Sequence, residues 1–129
     1  MADTQKITAR ALENSFLCVD SKGAEVSVRG TGPRATDLLL MSVAGCSGSV
    51  LKSVLAKEGF TPRKLDMTFE GVRAVGGPPR FETINAHYDV ECSGLTEDKL
   101  KECLEATELA CPVIQTLNVK TNITFTLNK

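Results

Sequence analysis

The order of hydrophobic and polar positions predicts several short strands along the chain. The first thirty residues favour β structure in three stretches separated by turn residues, over positions 7–12, 16–19 and 25–29. Strict alternation of apolar and polar residues follows over 65–69 and 84–90, on either side of a turn at 76–79. These two stretches predict a hairpin, and a last alternating strand is predicted over 119–127.

Two other regions have the pattern of helices. The segment from about 36 to 59 is apolar or small on all sides in its first half, so we expect a helix that is enclosed by other structure. Thr36 is its predicted N-cap, and Gly59 is its predicted C′ residue. A second helix pair is predicted over about 96–118, with Thr96 as its cap and Pro112 dividing it.

Together these elements predict an α+β fold. We expect a mostly antiparallel β-sheet, a long buried central helix over about 36–59 and the helix pair over about 96–118. A chain of 129 residues is of ordinary single-domain size. It shows neither a repeat nor a linker, so one domain over 1–129 is expected.

Charge and composition exclude several classes of partner. The 15 Lys and Arg residues nearly balance the 16 Asp and Glu residues, so no basic field favours nucleic acid or an anionic membrane. The longest uncharged run, over 38–51, is shorter than the roughly 20 residues that span a bilayer. The N-terminus has no apolar segment typical of an export signal, so we expect a cytoplasmic protein.

Cysteine is the residue type that points to chemistry. The chain has five cysteines and one histidine, His87, without a Cys-x-x-Cys motif, so neither a metal nor another cofactor is expected. His87 falls on the polar side of its strand and is expected to face solvent. Cys18, Cys92 and Cys103 lie in apolar stretches and are read as small core residues.

Cys46 and Cys111 have more unusual neighbours. Gly45 and Gly48 flank Cys46 within a predicted helix, where each glycine costs about 1 kcal/mol against alanine. They indicate either close packing of another segment or space beside the sulfur. Cys111 precedes Pro112 and therefore lies near a helix N-cap, where free N–H groups favour a thiolate. The other interpretation of Cys111 is a buried residue at a kink.

The chain resembles the family of osmotically inducible proteins and organic hydroperoxide resistance proteins. The matching features are the segment DLLLMSVAGC that ends at Cys46, the sixty-five-residue spacing to Cys111, and the Cys-Pro-Val that begins there. The likeness covers nearly the whole chain. It implies an intertwined two-fold homodimer with a site at each end of the interface.

The resemblance also implies a mechanism. Cys46 would attack a hydroperoxide, organic or hydrogen peroxide, and become a sulfenic acid, which Cys111 would convert into a Cys46–Cys111 disulfide. A dithiol, of the lipoyl type in the organic hydroperoxide branch, would then reduce the protein. An arginine and a carboxylate activate the thiol in the family. Arg29 and Asp37 match those places best, and Arg34 and Arg10 stay open as alternatives to Arg29.

One departure from the family pattern concerns the carboxylate. Peroxidase members carry a glutamate ten residues before the first cysteine, where this chain has Thr36, and Asp37 lies nine before, as in a less characterised branch. Nine helical residues span roughly 13 Å, so Asp37 can serve Cys46 only from a partner subunit. The alternative is a non-catalytic small-molecule-binding or redox-sensing protein of the same fold.

Overall fold

The computed structural model describes residues 3–129. Met1 and Ala2 belong to the N-terminal segment that is expected to lack an export signal, and they lie outside the described residues. The chain divides into two compact units, one ending at Leu39 and the other comprising Leu40–Lys129. The expectation of one domain over 1–129 stays a prediction.

The first unit contains a three-stranded antiparallel sheet. Its strands are β1 (Thr8–Ala11), β2 (Phe16–Val19) and β3 (Glu25–Val28), paired in the order β1-β2-β3. The turn between β2 and β3 is held by Asp20, whose carboxylate accepts the N–H groups of Lys22 and Ala24, both at 2.8 Å. The three strands predicted for the N-terminal part are confirmed.

Helix α1 (Ala35–Lys57) follows this sheet. The prediction of Thr36 as N-cap was wrong by about two residues, because Leu38 N–H donates to the Arg34 carbonyl at 3.0 Å and so closes the first turn earlier. The prediction of Gly59 as C′ residue is confirmed. Gly59 has a φ of 87°, its N–H donates to Ala56, and the N–H of Phe60 donates to Leu55, which is the Schellman arrangement.

The second unit contains another three-stranded sheet. Strands β4 (Lys64–Arg73) and β5 (Phe81–Glu91) form the predicted antiparallel hairpin. Helices α2 (Glu97–Ala110) and α3 (Pro112–Thr116) then lead to β6 (Lys120–Asn128), which pairs with β5 in parallel. A parallel neighbour needs a crossover connection, and the two helices supply it. We expected one sheet, whereas the described residues form two, and the alternation pattern had not indicated the parallel pairing.

The core of the second unit lies where α1 and α2 meet this sheet. Leu51 and Leu55 of α1 pack in one buried cluster with Tyr88 and Val90 of β5 and with residues of α2 that include Leu100. Thr96 caps α2 as predicted, since its side chain accepts the N–H of Lys99 at 3.1 Å. The hydrophobic faces of the helices and strands thus meet as their periodicities predict.

Only one stripe of α1 is buried within the chain. It consists of positions four residues apart, Val43, Ser47, Leu51 and Leu55, together with Gly48. The opposite side is open, and Met41 is 57% exposed. The expected complete enclosure of this helix is therefore not found within the single chain. By length and composition alone, α1 is long and apolar enough to cross a membrane. Core helices of soluble proteins meet the same two criteria.

Candidate redox site

The junction between α2 and α3 positions Cys111. Pro112 occupies the first turn of α3, and a residue before proline is driven away from helical angles. Cys111 accordingly has an extended backbone, with φ −81° and ψ 110°, and serves both as C-cap of α2 and as N-cap of α3. The sequence prediction that Cys111 lies at a helix start is confirmed.

The structure brings Cys46 and Cys111 together, as predicted. Cys46 lies in the middle of α1, and its Sγ is 3.0 Å from the Cys111 Sγ. Both are free thiols, and the separation exceeds the S–S bond length by about 1 Å. Cys111 is fully buried, whereas Cys46 is partly exposed. Of the two sulfurs, Cys46 is therefore the one that a solute can reach.

Two polar side chains complete the surroundings of Cys111. The hydroxyl of Ser47 donates to the Cys111 Sγ at 3.5 Å, and Ser47 is 0% exposed. Tyr88 of β5 is also buried, and a hydrogen bond with Ser47 lowers the pKa of its phenol against the larger effect of burial, which raises it. The buried sulfur of Cys111 thus has the Ser47 hydroxyl as a hydrogen-bond partner.

The two cysteines have opposite acidities. Burial raises the pKa of the Cys46 thiol, and its hydrogen bond with Cys111 raises it further. Burial also acts to raise the pKa of Cys111, but the Cys46 thiol, the N–H groups of Ile114 and Val113 and the Ser47 hydroxyl outweigh it, so the net pKa is lowered. The groups around the pair therefore favour the thiolate form more at Cys111 than at Cys46.

The remaining predicted site residues belong to the first unit, and their part in the site stays a prediction. Arg29 lies at the end of β3 with a φ of 67°, and its N–H donates to the Pro33 carbonyl. Asp37, in the first turn of α1, forms an ion pair with Arg34 at 3.4 Å. Arg10 is in β1, opposite Leu17.

Cys92, Cys103 and His87 of the second unit contact groups other than the sulfur pair. Cys92 and Cys103 are buried in the core, and burial raises the pKa of Cys103. His87 lies on the polar side of β5, with its two ring nitrogens 2.6 and 3.1 Å from the hydroxyls of Thr124 and Thr126. Within residues 3–129, no group of three or more His, Cys, Asp or Glu side chains is arranged to hold a metal ion.

Sequence reasoning missed Ser47 and Tyr88 as members of the site. In the sequence Ser47 is only the small residue that follows Cys46, and the alternation over 84–90 places Tyr88 only on the apolar side of its strand. A signal was available, because Ser47 shares the four-residue spacing of Val43, Leu51 and Leu55 and so falls on the buried stripe of α1. A buried hydroxyl requires a hydrogen-bond partner, but periodicity cannot say which one.

Comparison with known proteins places the chain in a family. The family model described as "OsmC-like protein" matches residues 28–128. Among curated proteins no match is found.

Solved structures share the fold over the whole chain. The OsmC-like protein of Mycoplasma pneumoniae is 22% identical, with a TM-score of 0.89 and 100% of each chain covered. An organic hydroperoxide resistance protein of Legionella pneumophila is 13% identical, with a TM-score of 0.70 over 100% of this chain and 99% of that one. The organic hydroperoxide resistance protein OhrB of Bacillus subtilis is 19% identical, with a TM-score of 0.61 and 98% of each chain covered.

Proposed function

The chain belongs to the OsmC-like protein family, and from this membership and the paired sulfurs we propose that it is a thiol peroxidase. Its substrates are hydroperoxides, organic ones or hydrogen peroxide, and its role is antioxidant defence. Family members that are named for organic hydroperoxide resistance share the fold. The proposal keeps the roles expected from the sequence, with Cys46 as the peroxidatic and Cys111 as the resolving cysteine.

The single observation that carries this proposal is the 3.0 Å separation of a partly exposed and a buried sulfur. Cys46 attacks the distal peroxide oxygen, an S–O bond forms, the O–O bond breaks, and the alcohol leaves with the thiol proton. Cys111 then attacks the sulfenic acid as a thiolate, and the hydroxide that leaves is protonated to water. The pair loses two electrons, and a dithiol restores both thiols by exchange.

Activation of Cys46 is the step that needs a further group. Because the pKa of the Cys46 thiol is raised, most of it is protonated at neutral pH in the single chain. An arginine lowers a thiol pKa and can also bind the departing oxygen, since it remains charged and presents several donors. We assign this role to Arg29 together with Asp37, both acting from the second subunit of a homodimer. The protein works in the cytoplasm with a dithiol reductant of the lipoyl type.

The test is hydroperoxide consumption with dihydrolipoamide as the reductant. The wild-type protein should turn over cumene hydroperoxide, and Cys46→Ser should abolish turnover. Cys111→Ser should accumulate a sulfenic acid that dimedone traps on Cys46, and an intact mass 2 Da below the dithiol form should appear only in proteins with both cysteines. These outcomes follow from the order of the two steps.

Cys18→Ser is the matched control, because Cys18 is a free cysteine of the first unit and lies outside the pair. It should retain wild-type turnover. The proposal fails if no hydroperoxide is consumed with any dithiol, or if Cys46→Ser keeps its activity.

One observation favours the alternative of a non-catalytic binding or redox-sensing protein. Asp37 pairs with Arg34 within the first turn of α1, where an acid also complements the helix dipole, so its position has a structural explanation. An absence of turnover together with reversible disulfide formation would favour the sensor. An absence of both would favour the binding protein.

A further inference from the structure

We propose that Ser47 is a positioning residue that donates its hydroxyl hydrogen to Cys111 and thereby keeps the resolving sulfur ready to attack oxidised Cys46. This inference rests on the proposed function and extends it to a residue outside the cysteine pair. Ser47 directly follows Cys46 on α1 and is 0% exposed. Its hydroxyl lies 3.5 Å from the Cys111 Sγ.

The position of Ser47 explains why a hydroxyl occurs on an apolar stripe. The other side chains of that stripe are Val43, Leu51 and Leu55, all buried, and a buried hydroxyl is stabilised only when it is hydrogen-bonded. For Ser47 the hydrogen-bond partner is Cys111, since its hydroxyl donates to the Cys111 Sγ.

Burial makes this contact matter for the second chemical step. Cys111 is 0% exposed, so water cannot solvate its thiolate, and hydrogen-bond donors of the protein must stabilise the charge instead. The resolving step forms the S–S bond, breaks the S–O bond of Cys46 and releases hydroxide, and Ser47 neither gains nor loses a proton. The hydrogen bond that Ser47 donates stabilises the Cys111 thiolate until it attacks the Cys46 sulfenic acid.

The experiment compares Ser47→Ala with wild type in two measurements. Thiolate absorbance at 240 nm is titrated in a Cys46→Ser background, and the same titration of a Cys46→Ser/Cys111→Ser protein is subtracted to remove the signal of the other three cysteines. The difference reports the ionisation of Cys111 without any peroxide. Loss of the hydroxyl should move the Cys111 midpoint upward by about one pH unit, which is roughly tenfold less thiolate near neutral pH. Ser47→Thr retains the hydroxyl and should keep the wild-type midpoint.

The second measurement is the decay of the Cys46 sulfenic acid into the disulfide at different pH values. In Ser47→Ala the rate should fall several-fold near pH 7 and recover above the new midpoint, because the unstabilised thiolate is at least as nucleophilic. Sulfenic acid formation, measured in Cys111→Ser proteins, should not depend on Ser47. A merely structural role would slow disulfide formation at every pH, and that result would overturn the proposal.

Two control variants distinguish the effect of the Ser47 hydroxyl from a general loss of structure. Thr107→Val removes another buried hydroxyl, which donates to the Cys103 carbonyl at 2.8 Å, and Ser53→Ala removes an exposed one from the same helix as Ser47. Neither should move the Cys111 midpoint. If Ser47→Ala does not fold, Ser47→Gly becomes the test: an upward shift of the Cys111 midpoint supports the proposal, and an unchanged midpoint overturns it.

The design separates this proposal from the proposed function. The titration needs no substrate, so a raised midpoint without peroxide turnover would preserve the role of Ser47 and reject the peroxidase. Turnover with an unchanged midpoint in Ser47→Ala would preserve the peroxidase and reject the role of Ser47.

Discussion

At the scale of single residues, the backbone of Arg29 is unusual. It is the one non-glycine residue within 3–129 with a positive φ, 67°. The left-handed region costs a residue with a Cβ roughly 1–2 kcal/mol. Its surroundings keep it there, since Arg29 N–H donates to the Pro33 carbonyl and Gly32 N–H donates to the Arg29 carbonyl. Such a backbone outlier motivates a functional hypothesis, which here is that the Arg29 guanidinium activates Cys46.

Replacing Arg29 by glycine separates its side chain from its backbone. Glycine adopts this φ without strain, so Arg29→Gly should alter the free energy of unfolding by no more than about 1 kcal/mol. If the guanidinium activates Cys46, turnover should fall roughly 100-fold or more, as with loss of other charge-stabilising groups. Urea unfolding and hydroperoxide consumption measure the two effects.

Arg34→Ala and Arg10→Ala are the comparisons for Arg29→Gly. Both side chains are alternatives from the sequence, and both should retain most of the activity. A large loss in either of them, with normal turnover in Arg29→Gly, would move the assignment to that arginine.

At the scale of elements, the end of α1 is determined by a short local signal. Gly59 takes a left-handed φ of 87°, and the N–H groups of Gly59 and Phe60 satisfy carbonyls of the last helical turn. Those carbonyls would otherwise lack partners within the helix. The chain then turns toward β4, while Leu51 and Leu55 remain in the core.

Gly59→Ala should lower the free energy of unfolding by about 1 kcal/mol or more, because a Cβ is disfavoured at this φ. Gly59→Asn should lose less, since asparagine tolerates the left-handed region better. Nothing lies within 4 Å of a Cβ at this position, so steric contact does not complicate the comparison. Urea unfolding measures both, and equal losses for alanine and asparagine would contradict this account of the helix end.

At the scale of the whole molecule, the glycines around Cys46 have different surroundings. A Cβ on Gly48 would lie 2.8 Å from the Met67 Cε, so this glycine permits close packing of α1 on β4 within the chain. Gly45 has nothing within 4 Å of that position and lines an open groove of about 420 Å³. Of the two interpretations that the sequence offers, close packing of another segment applies to Gly48, whereas Gly45 has free space beside it. The homodimer itself stays a prediction.

Sedimentation of the wild-type protein at micromolar concentration should give a dimer. Gly45→Glu should shift the population toward monomer by placing a charge in a close interface, which costs several kcal/mol when the charge is unpaired. Ser53→Glu, which adds the same charge to another exposed position of α1, is the control. A monomeric wild-type protein would contradict the dimer and, with it, the roles of Arg29 and Asp37 across the interface.

Much of this protein follows from local sequence signals. Alternation located β4 and β5, Thr96 and Gly59 marked helix ends, and Pro112 located the break that leaves Cys111 extended. These features depend on backbone preferences and on side chains a few residues apart, so their causes are present in the sequence itself. The wrong prediction of Thr36 as N-cap shows the limit of this reasoning, since the first turn of α1 is closed by a hydrogen bond from Leu38 N–H to the Arg34 carbonyl.

Other features depend on contacts between distant parts of the chain. The parallel pairing of β6 with β5 follows from the crossover through α2 and α3, and alternation is the same for either strand direction. The sequence alone indicated two unusual cysteines, and the family resemblance paired them. Only the tertiary structure could decide the 3.0 Å separation of their sulfurs and the hydroxyl of Ser47 beside Cys111, because Cys46 and Cys111 are sixty-five residues apart in the sequence. Their acidities follow from that packing, since burial and neighbouring donors are set by the fold.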